Sequence, residues 1–412
     1  MIIKLKNIFL DKNIILALIS IYPLALIIGS AVSELLNLLI IIFFFYLFFR
    51  KKIFVRINIY FYFLIIFWVY LFLSFIFSVD RELSFTRFFS FVRFPLLFIS
   101  ILYCFSFIKN RIKIIFLSWL IILLIVVFDL YFQFFFGKNI LGFESPWPGR
   151  LSGFMHTKLK IAYLLLGFFP IILGFLIDFK FKNKIYFLTI FCLSFFIIFI
   201  LINERSNTLK FIFWCILFFF FQKKFLIQFK IYVIIFILSL FLIIVFNSTS
   251  LKQRYYFEFT SLYDKDKSFM EFAYKIPYIA HYETALNIFK NYPILGSGIK
   301  TFRVECSKDI YSTLRSEYTR CSTHPHQIYL EILSELGLVG FFIFFGFFFY
   351  IFKVNISFFK NNNNSIHLAS LLFLLTHFIP IIPGGSFFNS FGATIFWLNF
   401  SIMVYYQKLK SK

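Results

Sequence analysis

The chain has 412 residues, of which 61% are hydrophobic, 14% are charged and 73 are Phe, a usage that excludes an ordinary soluble domain. Its net charge of +23 comes from 41 Lys and Arg against 18 Asp and Glu. In a soluble protein that excess would point to nucleic acid, but here 21 of the basic residues fall in seven short segments, at the termini and between apolar runs, so no nucleic-acid partner is expected.

A bilayer core takes roughly 20 apolar residues per helix, and the apolar runs give about twelve candidate spans on that measure. In chain order they cover residues 14–28, 35–49, 60–77, 94–108, 114–136, 161–179, 185–202, 209–221, 229–246, 328–351, 367–382 and 391–406. The expected fold is therefore all-α and polytopic. Residues 1–246 hold membrane helices one to nine, residues 247–327 form a long, partly helical periplasmic loop, and residues 328–412 hold helices ten to twelve. Lys and Arg gather at the N-terminus, at residues 50–56, 109–113, 180–184, 223–230 and 353–360, and at the C-terminus. These segments alternate with the other connections, so the positive-inside rule puts both termini in the cytoplasm. The first apolar run lacks a small-residue cleavage site and should stay as a helix.

In the run INERSNTLKF, residues 202–211, Arg205 stands beside Ser206, Asn207 and Thr208, residue types that cap a following helix. Taken alone it reads equally as an interfacial anchor or as a ligand for an anion. Residues 247–327 are too long for an idle connection. Within them, residues 269–291 carry apolar positions at helical spacing, giving an amphipathic helix broken near Pro277 that lies on the membrane surface or on the bundle. The run YPILGSGIKTF, residues 292–302, pairs Gly296 with Gly298 in a tight turn where backbone can approach a ligand closely. Across the expected outer face stand Arg81, Arg87, Arg150, Arg205, Arg254, Arg303, Arg315 and Arg320 with His281, His324 and His326. Guanidinium groups there suit a phosphate-bearing head group, because their planar donors engage two oxygens at once.

His324 and His326 flank Pro325 in HPHQIYLEILSELGLVG, residues 324–340, and Pro suits the first turn of a helix. A helix start favours an anion and a neutral imidazole, and a neutral imidazole can accept a proton near neutral pH. A solvated cap is the plain alternative, and His-x-His can ligate zinc, although no spaced third ligand is evident. Cys104, Cys192 and Cys215 fall inside apolar runs. Cys306 and Cys321 share the long loop, where an oxidising compartment allows a disulfide.

The late outer loop, the Arg-Ser element at Arg205, the run HYETALNIFKNYPILGSGIKTF (281–302) and HPHQIYLEILSELGLVG together resemble the O-antigen ligase family, which joins lipopolysaccharide ligases with related polymerases. The resemblance is strongest over residues 281–340. It implies a bacterial inner-membrane glycosyltransferase that moves a glycan from undecaprenyl pyrophosphate to a hydroxyl of the lipid A core, needing no metal or other cofactor and inverting the sugar. The family's essential histidine corresponds to His326, with Gln327 where Asn is commoner. Its arginines correspond to Arg205 and Arg254, while the loop arginine expected before Tyr282 is missing and Arg303 or Arg315 would replace it. His324 would help hold substrate. A polymerase using the same donor and a glycan acceptor is the alternative within the class. A lipid-linked oligosaccharide flippase is the alternative outside it, with Asp129 as its main deep charge.

Overall fold

The computed structural model describes residues 2–55, 59–260, 276–311, 320–380 and 382–409. Helices of seven residues or more are numbered in chain order. They are α1 (Ile2–Ser20), α2 (Tyr22–Ile28), α3 (Ser30–Phe49), α4 (Ile59–Ile76), α5 (Arg81–Phe91), α6 (Arg93–Ile108), α7 (Ile112–Phe136), α8 (Ile161–Asp178), α9 (Lys184–Leu201), α10 (Arg205–Phe221), α11 (Ile227–Asn247), α12 (Pro277–Asn291), α13 (Ile328–Asn361), α14 (Ser365–Thr376) and α15 (Ser390–Leu409). No strand is present among the described residues, so the all-α reading holds.

Among the described residues, eight helices are long and apolar enough to cross a membrane, or nine if Leu10–Ser20 and Tyr22–Ile28, bent by 44°, form one span. Three of the expected spans fall short of that test, and their position in the bundle explains why. α14 has only 12 residues, α10 opens with Arg205 and carries Lys210, and α15 carries Asn399 and Ser401. α14 packs on α8 and α15, and α15 packs on α6. A helix walled in by other helices need not be apolar enough for lipid, and it can spend polar side chains on its neighbours. Asn399 donates to the Gly167 carbonyl at 3.0 Å, Ser401 to Phe98 at 3.2 Å, and Trp214 to Ala369 at 3.1 Å.

Small residues let these helices touch. A Cβ at Gly174 would lie 2.7 Å from the Ser365 carbonyl, and one at Gly167 would lie 2.2 Å from Ile395. Burial runs from 89% of the apolar window of α8 to 11% of that of α11, which places α8 at the centre and leaves α11 at the margin.

The long connection between α11 and α13 is partly helical, as expected. α12 begins with Pro277 in its first turn and packs against α13 through Ala280, Thr284, Ala285 and Ile288, all buried, whereas Leu286 faces outward. The expected start of this helix near residue 269 lies outside the described residues. Cys306 and Cys321 are paired, with their Cα atoms 5.2 Å apart.

The Gly296 and Gly298 turn approaches backbone, but that of α13 rather than a ligand. α13 breaks at Gly337, whose φ of 63° and ψ of −169° are not helical. The break frees backbone groups that must find partners, and the YPILGSG run supplies them. Leu338 N–H donates to Pro293 at 2.8 Å and Val339 N–H to Ile294 at 3.2 Å, while Ser297 and Gly298 N–H donate to Ser334 and Glu335 at 3.0 and 2.9 Å. A side chain has no room here: a Cβ on Gly296 would lie 2.3 Å from the Glu335 carbonyl carbon, and one on Gly337 2.3 Å from the Ile294 oxygen.

Candidate functional site

The end of the bundle where α10 and α13 begin encloses a cavity of about 260 Å³. One wall is the stretch before α13, with His324, His326 and Ile328, closed by Tyr278 of α12. A second wall is the start of α10, with Glu204, Ser206, Asn207 and Lys210. Lys160 and Tyr163 at the start of α8, His377, the loop 382–389 and the first turns of α15 complete it.

Local bonding fixes the histidine wall. Gln327 is the N-cap of α13, accepting from Leu330 N–H at 2.9 Å through Oε1 and donating from Nε2 to the Pro380 carbonyl at 3.2 Å. The amide that stands where Asn is commoner thus ties the helix start to the segment opposite. Pro325 and both histidines precede the helix, instead of lying in its first turn, and His326 adopts the left-handed φ of 60°, uncommon for a residue with a Cβ. Gly384 holds it there: its N–H donates to the His326 carbonyl at 2.8 Å and its carbonyl lies 3.2 Å from His324 Nε2.

Below, Glu331 accepts from Phe387 N–H at 2.9 Å and from the Ser386 hydroxyl, and lies 3.5 Å from the Lys300 ammonium, which also reaches Ser386. Lys300 N–H donates to Glu335 at 2.8 Å. All five residues are buried, and this network joins the loop 384–387 to α13 beneath the imidazoles.

The rings of His324 and His326 are 4.1 Å apart, and those of His281 and Tyr278 lie 5.5 and 5.2 Å from His326. Burial, which penalises the charged form, brings both His324 and His326 down to about 4. For His324 the Lys300 charge adds to it, and for His326 the neighbouring His324 and His281. Both are neutral at pH 7. The neutrality expected from a helix dipole has burial as its main cause. His326 Nε2 lies 3.1 Å from the Ser322 hydroxyl. Among the described residues no group of His, Cys, Asp and Glu has the geometry to hold a metal ion.

Arg205 is not in the cavity wall, though both its chain neighbours are. Its guanidinium pairs with Glu258 at 2.8 Å and donates to the Arg254 carbonyl at 3.0 Å. Nor do Ser206 or Thr208 cap α10: Glu204 is the N-cap residue, without a side-chain capping bond, and Thr208 donates to the Phe199 carbonyl at 2.8 Å. Burial first, then the charges of Arg150 and Arg205, lowers Arg254; burial, then Arg205 after an opposing pull from Glu204, lowers Arg150. Arg150, Arg205 and Arg254 are thus one cationic cluster beside the cavity.

Arg303 stands behind the histidines, its Nη2 3.5 Å from the Thr323 carbonyl. Arg320 donates to the carbonyls of Cys306, Ser307 and Lys308, a structural task. Arg315 lies outside the described residues. Asp129 accepts from Ile140 N–H at 2.9 Å, organising a loop away from the cavity.

Sequence reasoning passed over Glu204, Lys210, Tyr163, His377 and the loop after Ile382. Burial raises Glu204 to about 7, against the pull of the Asn207 amide that donates to it at 2.6 Å. Tyr163 and His377 are bonded at 2.6 Å. The signal available in the sequence was Lys210, an ionisable residue inside an apolar run, which in a membrane helix marks a functional site by default.

The sequence model of the O-antigen ligase family matches residues 187–345. This is the family to which the motifs pointed, and the match takes in the start of α10, α12 and the histidine wall. No curated protein matches the chain significantly.

Proposed function

With residues 187–345 matching the O-antigen ligase family as premise, we propose that this multi-pass membrane protein transfers a glycan from undecaprenyl pyrophosphate to a hydroxyl of the lipid A core, at the periplasmic face of the bacterial inner membrane. The observation that carries the reading is the cavity, which His326 and the start of α10 both line, with burial keeping that imidazole neutral.

The chemistry follows from the groups present. The acceptor oxygen forms a bond to the anomeric carbon as the bond from that carbon to the phosphate oxygen breaks, and the acceptor proton passes to the His326 imidazole. Undecaprenyl pyrophosphate leaves as an anion, so the transition state needs cationic stabilisation more than an acid. The cluster of Arg150, Arg205 and Arg254 gives the rim its positive field, and His324, bonded to Gly384, orients the facing wall. Attack from the face opposite the diphosphate inverts the sugar and requires no metal. A polyprenyl tail would lie along the apolar surface of the bundle.

The test is a reconstituted assay with purified protein, lipid-linked glycan and lipid A core. We expect glycosylated core from the native protein and little from His326→Ala at equal protein level. Equal product from both would exclude His326 as the base, and elongation of the donor glycan without transfer to core would assign the polymerase reaction instead.

A further inference from the structure

Lys210 carries the buried cation of the cavity. It is 5% exposed and lines the cavity one and a half turns into α10, yet among the described residues no hydrogen bond or ion pair reaches its ammonium. Its place is fixed by Gly384, whose missing side chain makes the room: a Cβ there would lie 3.2 Å from the Lys210 Nζ. The same glycine binds His324 and His326 through its backbone, so the ammonium lies directly under the histidine wall. Glu204 and His377 are the titratable groups that feel its charge, but neither pairs with it: Glu204 accepts from Asn207 through one oxygen and its other oxygen has no hydrogen-bond partner among the described residues, while His377 is bonded to Tyr163. A desolvated ammonium without a partner is costly, and a cavity that keeps one is built to receive an anion. Lys160, half-buried at the rim, adds a second cation. Arg205, by contrast, is taken up by Glu258.

We infer that Lys210, with Lys160 at the rim and the first turn of α10 beside it, is the seat of the donor's diphosphate, placing the leaving group beneath His326. This rests on the transferase reading for the identity of the anion, but not for the existence of the site. Lysine suits the task because its ammonium is a compact charge that can follow the departing oxygen.

The test is calorimetric titration of farnesyl diphosphate, with farnesol as the uncharged control, into the detergent-purified full chain. Affinity for farnesyl diphosphate should fall about 10- to 100-fold in Lys210→Met, the loss of a charge-assisted hydrogen bond, and recover in Lys210→Arg. Farnesol binding should be the same in all three, and His326→Ala should still bind farnesyl diphosphate. Lys210→Met removes a buried charge and should fold; Gly384→Ala, which crowds the ammonium without removing it, is the second variant and should also weaken binding. Farnesyl diphosphate binding to Lys210→Met within about threefold of the native protein would overturn the inference. Lys210-dependent binding in a protein that transfers no glycan would leave the anion seat standing and remove the transferase reading.

Discussion

At the scale of single residues, reactivity is set by burial more than by local motif. His326 is poised as a base because desolvation and two neighbouring imidazoles bring it down to about 4. Its neutral form is therefore the resting state from pH 8 to well below 6, and it is lost only as pH falls through that value. We expect kcat at saturating donor to hold level on the acid side and to decline with an inflection near 4; decline near the ordinary histidine value of about 6.5 would mean that the imidazole is solvated. His326→Ala should lower kcat by about 10²- to 10⁴-fold, the usual contribution of a general base. Glu204 has the opposite sign. Raised to about 7 by burial, its carboxyl gains a proton as pH falls through neutrality, removing a negative charge from the cavity. Titration of farnesyl diphosphate should show tighter binding at pH 6 than at pH 8 in the native protein and a smaller difference in Glu204→Gln.

At the scale of elements, the broken helix α13 and the YPILGSG run form one unit, each completing the backbone bonding of the other. Gly337→Ala would put a side chain where φ is 63° and where a Cβ meets the Ile294 oxygen. It should cost about 2 kcal/mol or more, read as a fall in thermal midpoint in detergent. The Cys306–Cys321 pair closes the segment that follows Arg303 and leads to the histidines. Replacing both by Ser should cost about 3 kcal/mol for a loop of this size, and iodoacetamide labelling before and after reduction should find these two thiols protected only in the oxidised protein.

The sequence showed that residues 292–302 and 324–340 mattered, but not that they bond to each other, because Gly-x-Gly is equally compatible with a ligand and with another backbone. It likewise revealed Arg205 by motif and hid Glu204. Which of two adjacent side chains enters a cavity depends on the helix start, and α10 begins earlier than its Ser-Asn-Thr run implied.

At the scale of the whole molecule, hydropathy was legible where helices face lipid and failed where they do not. α11, with 11% of its apolar window buried, reads plainly as a span. α14 and α15 sit among other helices, and their polar residues bond across the interior, so apolar length describes them poorly. The loop 383–389, which helps close the cavity, was read only as a gap between spans, since nothing in its composition says what it faces.

The central claim is that the wall before α13 and the start of α10 bound one chamber in which donor and acceptor meet. Photolabelling with a polyprenyl diphosphate bearing a diazirine near the head group, followed by peptide mass spectrometry, tests it most directly. Adducts should fall on residues 204–210, 324–328 and 382–393 and be displaced by excess farnesyl diphosphate. Displaceable adducts confined to helices that do not line this cavity, such as α3 or α11, would contradict the account.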